Sequence, residues 1–579
     1  MARWLHGRLR ILLAALLIAG TLGTLEGELA AQADGLSRLE AFLSAGEFGP
    51  ARELAKQAAT PEQRDQQLGL IARSQAISGA RSASLTSLSE IRDDRVRSSA
   101  LDEMFGSGRG GAGGGAAMAD FSSLIELITT TIEPDSWEDV GGAGTIKEFR
   151  GGVSVDANGL LRRLDISNSR QLVDLRRSSL ADRANWFPAR DSLQESSRLR
   201  KVSLNQLERE LQLRAAQGLP PDPSMVHLAG IYRIKYVLVY PETGDIVIAG
   251  PAGDWRTTAE GKAVNMETGQ PVLHLDDLVV VMRNAVNGDS KFGCSIDPRP
   301  ENIKRTKVYT EQIAGKSIRP SQRAKWLEDL RASVGRQDVN VYGIDGNNRT
   351  ARVLVEADYR MKLIGMGLEK GTAGVESYLE SIDPAEGIPS MSVLRWWFTL
   401  NYDAIKATPG GNAFELQGPG VRVMSENQRI NEKGIRLPTG KSDEITALFA
   451  SSFTAQFEEL AIKYPVYGEL RNIFDLALVA ALLRQDGLMQ RTGWHASYLL
   501  DPERYQLAED QAPTEVESVI NHRIIGGKHV VAGVSGGVSV DLRPLVQADA
   551  IKTADYGLLK ANHAQAVPPR LAARSWWWD

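Results

Sequence analysis

The chain has 579 residues, 42% of them hydrophobic, with 67 basic and 72 acidic side chains and a formal net charge of −5. That length predicts several domains, ~3–4, and the apolar share excludes wholesale disorder. The even charge balance argues against nucleic acid or an anionic membrane surface as partner.

At the N-terminus, Arg3, Arg8 and Arg10 flank the apolar run Ile11–Ala19, and Ala31-Gln32-Ala33 has the small-x-small pattern of a cleavage site. Residues 1–33 read as a secretory signal peptide cut after Ala33, which places the mature chain in the periplasm or outside the cell. The alternative is an uncleaved anchor helix, but the apolar run is shorter than the ~20 residues that span a bilayer. No other stretch is long and apolar enough, so no integral membrane span is expected after cleavage.

Residues 34–105 read as a helical domain. Leu36, Leu39, Phe42 and Leu43 form one stripe, and Leu68, Ile71, Ala72 and Ile77 another. Gly46 and Gly79 lie about one tetratricopeptide-type repeat apart (~34 residues), and a plain helical bundle is the alternative. Residues 106–119 are a Gly-rich linker. Gly106 to Gly111 spell G-x-G-x-x-G, but no strand precedes them, so the phosphate-loop context is missing. Residues 120–165 read as a small α/β module with strands near Thr145–Phe149 and Val153–Val155. Residues 166–224 read as a polar helical connector striped by Leu199, Leu204, Leu207 and Leu211.

The body, 225–541, opens on a hairpin, Tyr236–Tyr240 with Asp245–Ala249, followed by a helix from Leu275 and helical segments between Tyr309 and Ser333. Val339–Tyr342 and Arg352–Glu356 read as strands joined across Asp345–Asn348, a turn that lacks the carboxylates of a calcium loop. Ala351–Glu369 reads as a buried strand, Val353 to Val355, feeding a helix whose start is capped by Asp358. A strand meander follows over Leu394–Ile430, with Trp396-Trp397-Phe398 read as core. Next come an amphipathic helix over Asp443–Lys463, a buried helix over Tyr467–Arg484 and strands over Val516–Asp541. Residues 542–579 read as a weakly patterned tail, with one or two of its last three tryptophans, Trp576 to Trp578, tucking into a groove of the body; the alternative is a docking tag for a partner or a membrane interface. Gly-Gly-Val-Ser-Val-Asp occurs twice, at Gly151–Asp156 and Gly536–Asp541.

Three kinds of chemical constellation bear on function. Gly533-Val534-Ser535-Gly536-Gly537 fits G-x-S-x-G, and Asp549 and His563 follow in the order of an acid and a base. A nucleophile elbow needs a helix after the serine, whereas Val538-Ser539-Val540 reads as strand. Of the histidines, His227, His274, His495, His522, His529 and His563 show no i,i+4 metal-binding pair; His522 and His529 are expected to face each other across adjoining strands. Cys294, the lone cysteine, excludes an intramolecular disulfide and reads as a buried inert thiol. No cofactor and no metal site is assigned.

Two family resemblances add to this. The phrases HLAGIYRIKYVLVYPETGDIVIAGPAGDW (His227–Trp255), FGCSIDPRPENI (Phe292–Ile303), VLVEADYRMKLIGMGLE (Val353–Glu369) and KYPVYGELRNIFDLALVAAL (Lys463–Leu482) resemble a domain of unknown function in exported planctomycete-type proteins, over about 225–537. That resemblance implies export and a shared fold, and it brings no catalytic residue. Residues 127–142, within the small module, resemble the short N-terminal domains of secretin-type outer-membrane proteins, which implies a binding module.

The expected fold class is α+β: an N-terminal helical domain, a small α/β module and a large mixed body with antiparallel hairpins. The expected function is a non-catalytic binding or scaffold protein of the cell envelope, with envelope proteins as partners. The alternative is an exported serine-type hydrolase using Ser535, with His563 and Asp549.

Overall fold

The computed structural model describes residues 36–105, 146–149, 152–155, 191–313, 320–383, 392–431, 436–485, 487–525, 528–554, 557–569 and 575–579. The expected signal peptide and linker lie outside these residues. So does the small module, except for an antiparallel pair, Ile146–Phe149 with Gly152–Val155. The chain is mixed α+β with an N-terminal helical region, and it divides into two compact units.

The first unit contains helices Phe48–Lys56, Pro61–Ile77, Arg81–Glu90 and Asp94–Phe105, with Arg209–Gln217 and His495–Tyr498. Gly46 and Gly79 sit at helix–helix turns with φ of +72° and +79°, a left-handed conformation that glycine adopts without strain. Thr60 caps Pro61–Ile77 by accepting from Gln63 N at 3.2 Å, and Pro61 fills the first helical position. Leu39, Leu68, Ile71, Leu88, Ile91 and Leu213 close the core.

The second unit is built on two sheets. The seven-stranded sheet runs in the order Ile551–Thr553, Ala404–Ala407, Ala413–Gln417, Tyr236–Tyr240, Asp245–Ala252, Ser197–Ser203, Trp577–Trp578. The eight-stranded sheet runs Arg436–Pro438, Gly420–Ile430, Ser392–Asn401, Lys528–Asp541, Lys291–Pro298, Arg336–Tyr342, Glu515–Glu517, with Ile520–Ile525 pairing the start of the long strand Lys528–Asp541. Ser392–Asn401 and the long strand are parallel; the other pairings in this sheet are antiparallel.

The strand expected at Val353–Val355 is instead part of one central helix, Arg349–Gly365. Asn348, not Asp358, caps it, its side chain accepting from Ala351 N at 2.9 Å. The helix buries residues on nearly every side, from Thr350 through Val353, Leu354, Val355 and Asp358 to Ile364. One narrow stripe, Arg349, Arg352, Glu356, Arg360 and Leu363, stays partly exposed at helical spacing, but the consecutive buried residues Val353, Leu354 and Val355 read locally as a strand. The hairpin expected over 339–356 fails for the same reason: Arg336–Tyr342 is a strand, but its supposed partner is the first turns of this helix.

Two other segments depart from expectation. The connector is helical over Leu204–Ala216, but Ser197–Ser203 is a strand of the seven-stranded sheet. In the tail, Ile551–Thr553 adds an edge strand, and helix Leu558–Gln565 buries Leu559 against Leu238, Tyr240 and Ala413. As expected, the terminal tryptophans dock on the body. Trp576 is 4% exposed, and Trp577 and Trp578 pair with Val202 and Lys201.

The glycines of the repeated hexapeptide have a packing role in its second copy. A Cβ at Gly536 would lie 1.8 Å from Trp396 O, and one at Gly537 would lie 2.0 Å from Cys294 O. Only hydrogen fits where the neighbouring strands approach so closely.

Candidate functional site

Two polar constellations stand out in the second unit, one inside it and one on an open sheet face. The inner one surrounds the start of the central helix. Arg349 bridges Asp277, on helix Leu275–Asn287, and Glu469, on helix Pro465–Gln485. Thr350 Oγ1 donates to Asp277 Oδ1 at 2.8 Å. Lys262 Nζ lies 2.6 Å from Glu469 Oε2 and 2.9 Å from Glu356 Oε2. One turn into the helix, Arg352 pairs with Asp510 at 2.7 Å and with Glu356 at 3.1 Å. Each charge meets an opposite charge, which is what burial of ions requires.

Two imidazoles border this network. His274 accepts from Asp276 N at 3.1 Å, capping helix Leu275–Asn287, and its ring lies edge-on to His227 at 5.7 Å. His227 also packs edge-on against Trp255 at 5.5 Å, and its buried Nδ1 has no hydrogen-bond partner among the described residues. The next residues, Leu228, Ala229 and Gly230, have φ of +43°, +56° and +76°. Left-handed backbone at Leu228 and Ala229 is strained, and the Ala229 carbonyl is held by Arg200 Nη1 at 2.9 Å.

These groups fix the acid response. Burial, reinforced by the nearby Arg349 charge, pushes His227 down to about 4. Burial and the same arginine hold His274 well below its usual value. For Glu469 burial acts upward, but Lys262, Arg349 and Arg352 outweigh it and hold the carboxyl down at about 2. In the unfolded chain a histidine titrates near 6.5, so its neutral burial stabilises fully above that pH and the benefit fades down to about 4. Glu469 contributes above its unfolded value and loses its contribution as pH falls from about 4.5 through about 2. Each of His227 and Glu469 accounts for about 3 kcal/mol. Urea midpoints are expected to fall in two stages, and His227→Gln is expected to reduce the upper one. A midpoint that stays flat from neutral pH to about 4.5 would contradict this.

The outer constellation lies on the eight-stranded sheet. Trp396 and Phe398 point into the core, against Phe449 at 4.2 Å and Phe453 at 5.8 Å. Strand alternation therefore puts Arg395, Trp397 and Thr399 on the opposite face. There Trp397 is half-buried, with the Arg395 guanidinium 4.8 Å from its ring centroid. Two strands beyond the long strand, Tyr342 reaches across Gly293 to donate to Val538 O at 3.2 Å. Arg422 sits opposite Thr399, and Ser539 follows Val538, the partner of Phe398. At this end of the strands a cleft of about 280 Å³ is lined by Thr399, Asn401, Tyr402, Arg422, Ser539 and Asp541, among others.

The sequence-derived triad residues are dispersed. Ser535 is 2% exposed in the middle of the long strand, paired with Arg395, and its Oγ donates to Leu394 O at 3.3 Å. His563 stacks on Tyr240 at 4.5 Å beside the other sheet, its Nε2 3.0 Å from Val239 O. Asp549 is exposed. His522 pairs in register with Val531 and His529 with Ile524, so the two histidines are not directly opposed; His522 lies edge-on to Trp326 at 5.4 Å. Cys294 is buried in strand Lys291–Pro298, and its surroundings push the thiol far up, so no thiolate forms there at neutral pH.

In the first unit, Asp93, Asp94 and His495 bring potential ligand atoms within 4.8 Å of one another. Protein donors already occupy them. Asp94 accepts from the backbone N–H groups of His495 and Ser497 and contacts His495 Nδ1 at 3.0 Å, and Asp93 caps the following turn. Among the described residues, no helix is long and apolar enough to cross a membrane.

Residues 294–378 match DUF1598, a family described as a protein of unknown function. The match takes in most of strand Lys291–Pro298 and the whole central helix with Arg349, Arg352, Asp358 and Lys362. It is narrower than the 225–537 suggested by the sequence phrases, and it leaves out Asp277, Glu469 and the cleft. No curated protein and no solved structure matches the chain. The sequence singled out neither constellation, because the charged residues of each come from segments far apart in the chain.

Proposed function

We propose that the protein acts by binding, as an exported component of the cell envelope, and that the outer face of the eight-stranded sheet is the surface it presents. The observation that carries this reading is the pairing of Trp397 with Arg395 on that face, beside an exposed Arg422. Aromatic and arginine side chains of this kind supply much of the energy of recognition surfaces. The charged groups around the central helix, by contrast, are matched to one another inside the fold and serve to hold it. Ser535 offers no exposed nucleophile in its sheet position, so the hydrolase reading gains no support from geometry.

The test is capture of partners from envelope fractions with the wild type and with Arg395→Ala/Trp397→Ala. The variant is expected to retain its thermal stability and to lose captured material by about tenfold or more. Identical capture by both proteins would overturn the reading.

A further inference from the structure

The cleft at the end of the outer face has a donor and acceptor set that narrows its ligand. Arg422 is exposed and has no ion-pair partner among the described residues, unlike Arg299, Arg336 and Arg543, which are paired with Asp338, Glu515 and Asp541. Thr399 and Asn401 line the same cleft with side chains engaged by no hydrogen bond among the described residues. Ser539 is shared with Tyr342. Asp541 is held by Arg543, which offsets its charge, and a carboxylate retains lone pairs for further donors. The cleft thus offers a planar cation suited to a carboxylate, an acceptor-only carboxylate, and hydroxyl and amide groups that both give and take hydrogen bonds. A ligand that meets all of them carries one carboxylate and several hydroxyls. At about 280 Å³ the cleft is near the lower limit of small-molecule sites, the size of a single sugar ring.

We infer that this cleft binds a sugar acid, with the carboxylate on Arg422 and ring hydroxyls on Thr399, Asn401, Ser539 and Asp541. The inference rests on the binding reading above and names the ligand class for one end of the same face. Because Arg422 is exposed at the end of a paired strand, Arg422→Met removes the cation without opening the core.

The experiment is a titration of the full chain with D-glucuronate, D-glucose, acetate and inorganic phosphate, followed by calorimetry or amide chemical shifts. Glucuronate is expected to bind with a millimolar Kd, glucose and acetate at least about tenfold more weakly, and Arg422→Met to lose about tenfold or more at unchanged thermal stability. Four results would overturn the inference: no saturation by roughly 50 mM glucuronate, equal affinity for glucose, equal affinity for acetate or phosphate, or an unaffected Arg422→Met. The envelope-capture test uses Arg395 and Trp397, neither of which lines the cleft. Partner capture that persists while glucuronate fails to bind would remove the sugar acid and leave the binding face standing.

Discussion

Lys362→Met is expected to destabilise the protein by about 3–5 kcal/mol, seen as a large drop in the denaturant midpoint. Lys362 and Asp358 are both fully buried on the central helix, their charged atoms 2.6 Å apart. Asp358 Oδ1 also accepts from Gly537 N at 2.7 Å, tying the helix to the long strand. Burial pushes the Asp358 carboxyl up, an effect opposed by Lys362 and by the Gly537 N–H. Removing the lysine charge leaves a carboxylate in the core with nothing to balance it, and that loss dominates the outcome. The double variant Asp358→Asn/Lys362→Met removes both charges and keeps an acceptor for Gly537 N. It is expected to recover most of the loss, because neutralising a buried pair is often close to energetically neutral while breaking one is not. If the two single losses instead add in the double variant, the pair is not acting as a coupled unit.

Deleting Trp576 to Asp579 is expected to have an effect of similar size, on the order of 3–5 kcal/mol. Arg200 is fully buried and its Nε lies 2.9 Å from Asp579 Oδ1. The same guanidinium holds the carbonyls of Leu193, Glu195 and Ala229 and lies 4.8 Å from the Trp577 ring centroid. Losing the last residues therefore unbalances a buried cation, strips an edge strand and uncovers Trp576's site at once. Because Arg200 also secures the strained Ala229 turn, the deletion is expected to raise hydrogen exchange at Leu228–Gly230. Asp579→Asn, which keeps the tryptophans, is expected to account for part of the loss. Unchanged melting after the deletion would mean that the tail merely rests on the sheet.

Much of the secondary structure was legible wherever the chain has one wet and one dry face. The hairpin Tyr236–Tyr240 with Asp245–Ala252 shows its turn at Pro241–Gly244, and Asp443 announces the helix it caps by accepting from Thr446 N at 2.7 Å. The central helix reads locally as a strand because Val353, Leu354 and Val355 are consecutive and all buried, although Arg349, Arg352, Glu356 and Arg360 mark a partly exposed stripe at helical spacing. Trp396-Trp397-Phe398 was half legible: alternation puts the outer two in the core, but only the sheet shows that Trp397 lies on an open face beside Arg395. The site was not legible at all. Lys262, Asp277, Arg349 and Glu469 look like solvated charges one at a time, and the partner of each lies many residues away. The G-x-S-x-G match misleads for a related reason: its second glycine, Gly537, is demanded by Cys294 O across the sheet and not by a turn, and nothing crowds its first, Gly533.

The most direct test of a binding role is complementation of a gene deletion in the native host with two variants. Ser535→Ala removes a buried hydroxyl whose partner is a backbone carbonyl, and it is expected to restore the wild-type phenotype in full. Arg395→Ala/Trp397→Ala leaves the core untouched and is expected to fold, to be exported and to fail. Loss of the phenotype with Ser535→Ala while the protein remains folded, together with full rescue by the face variant, would contradict the account.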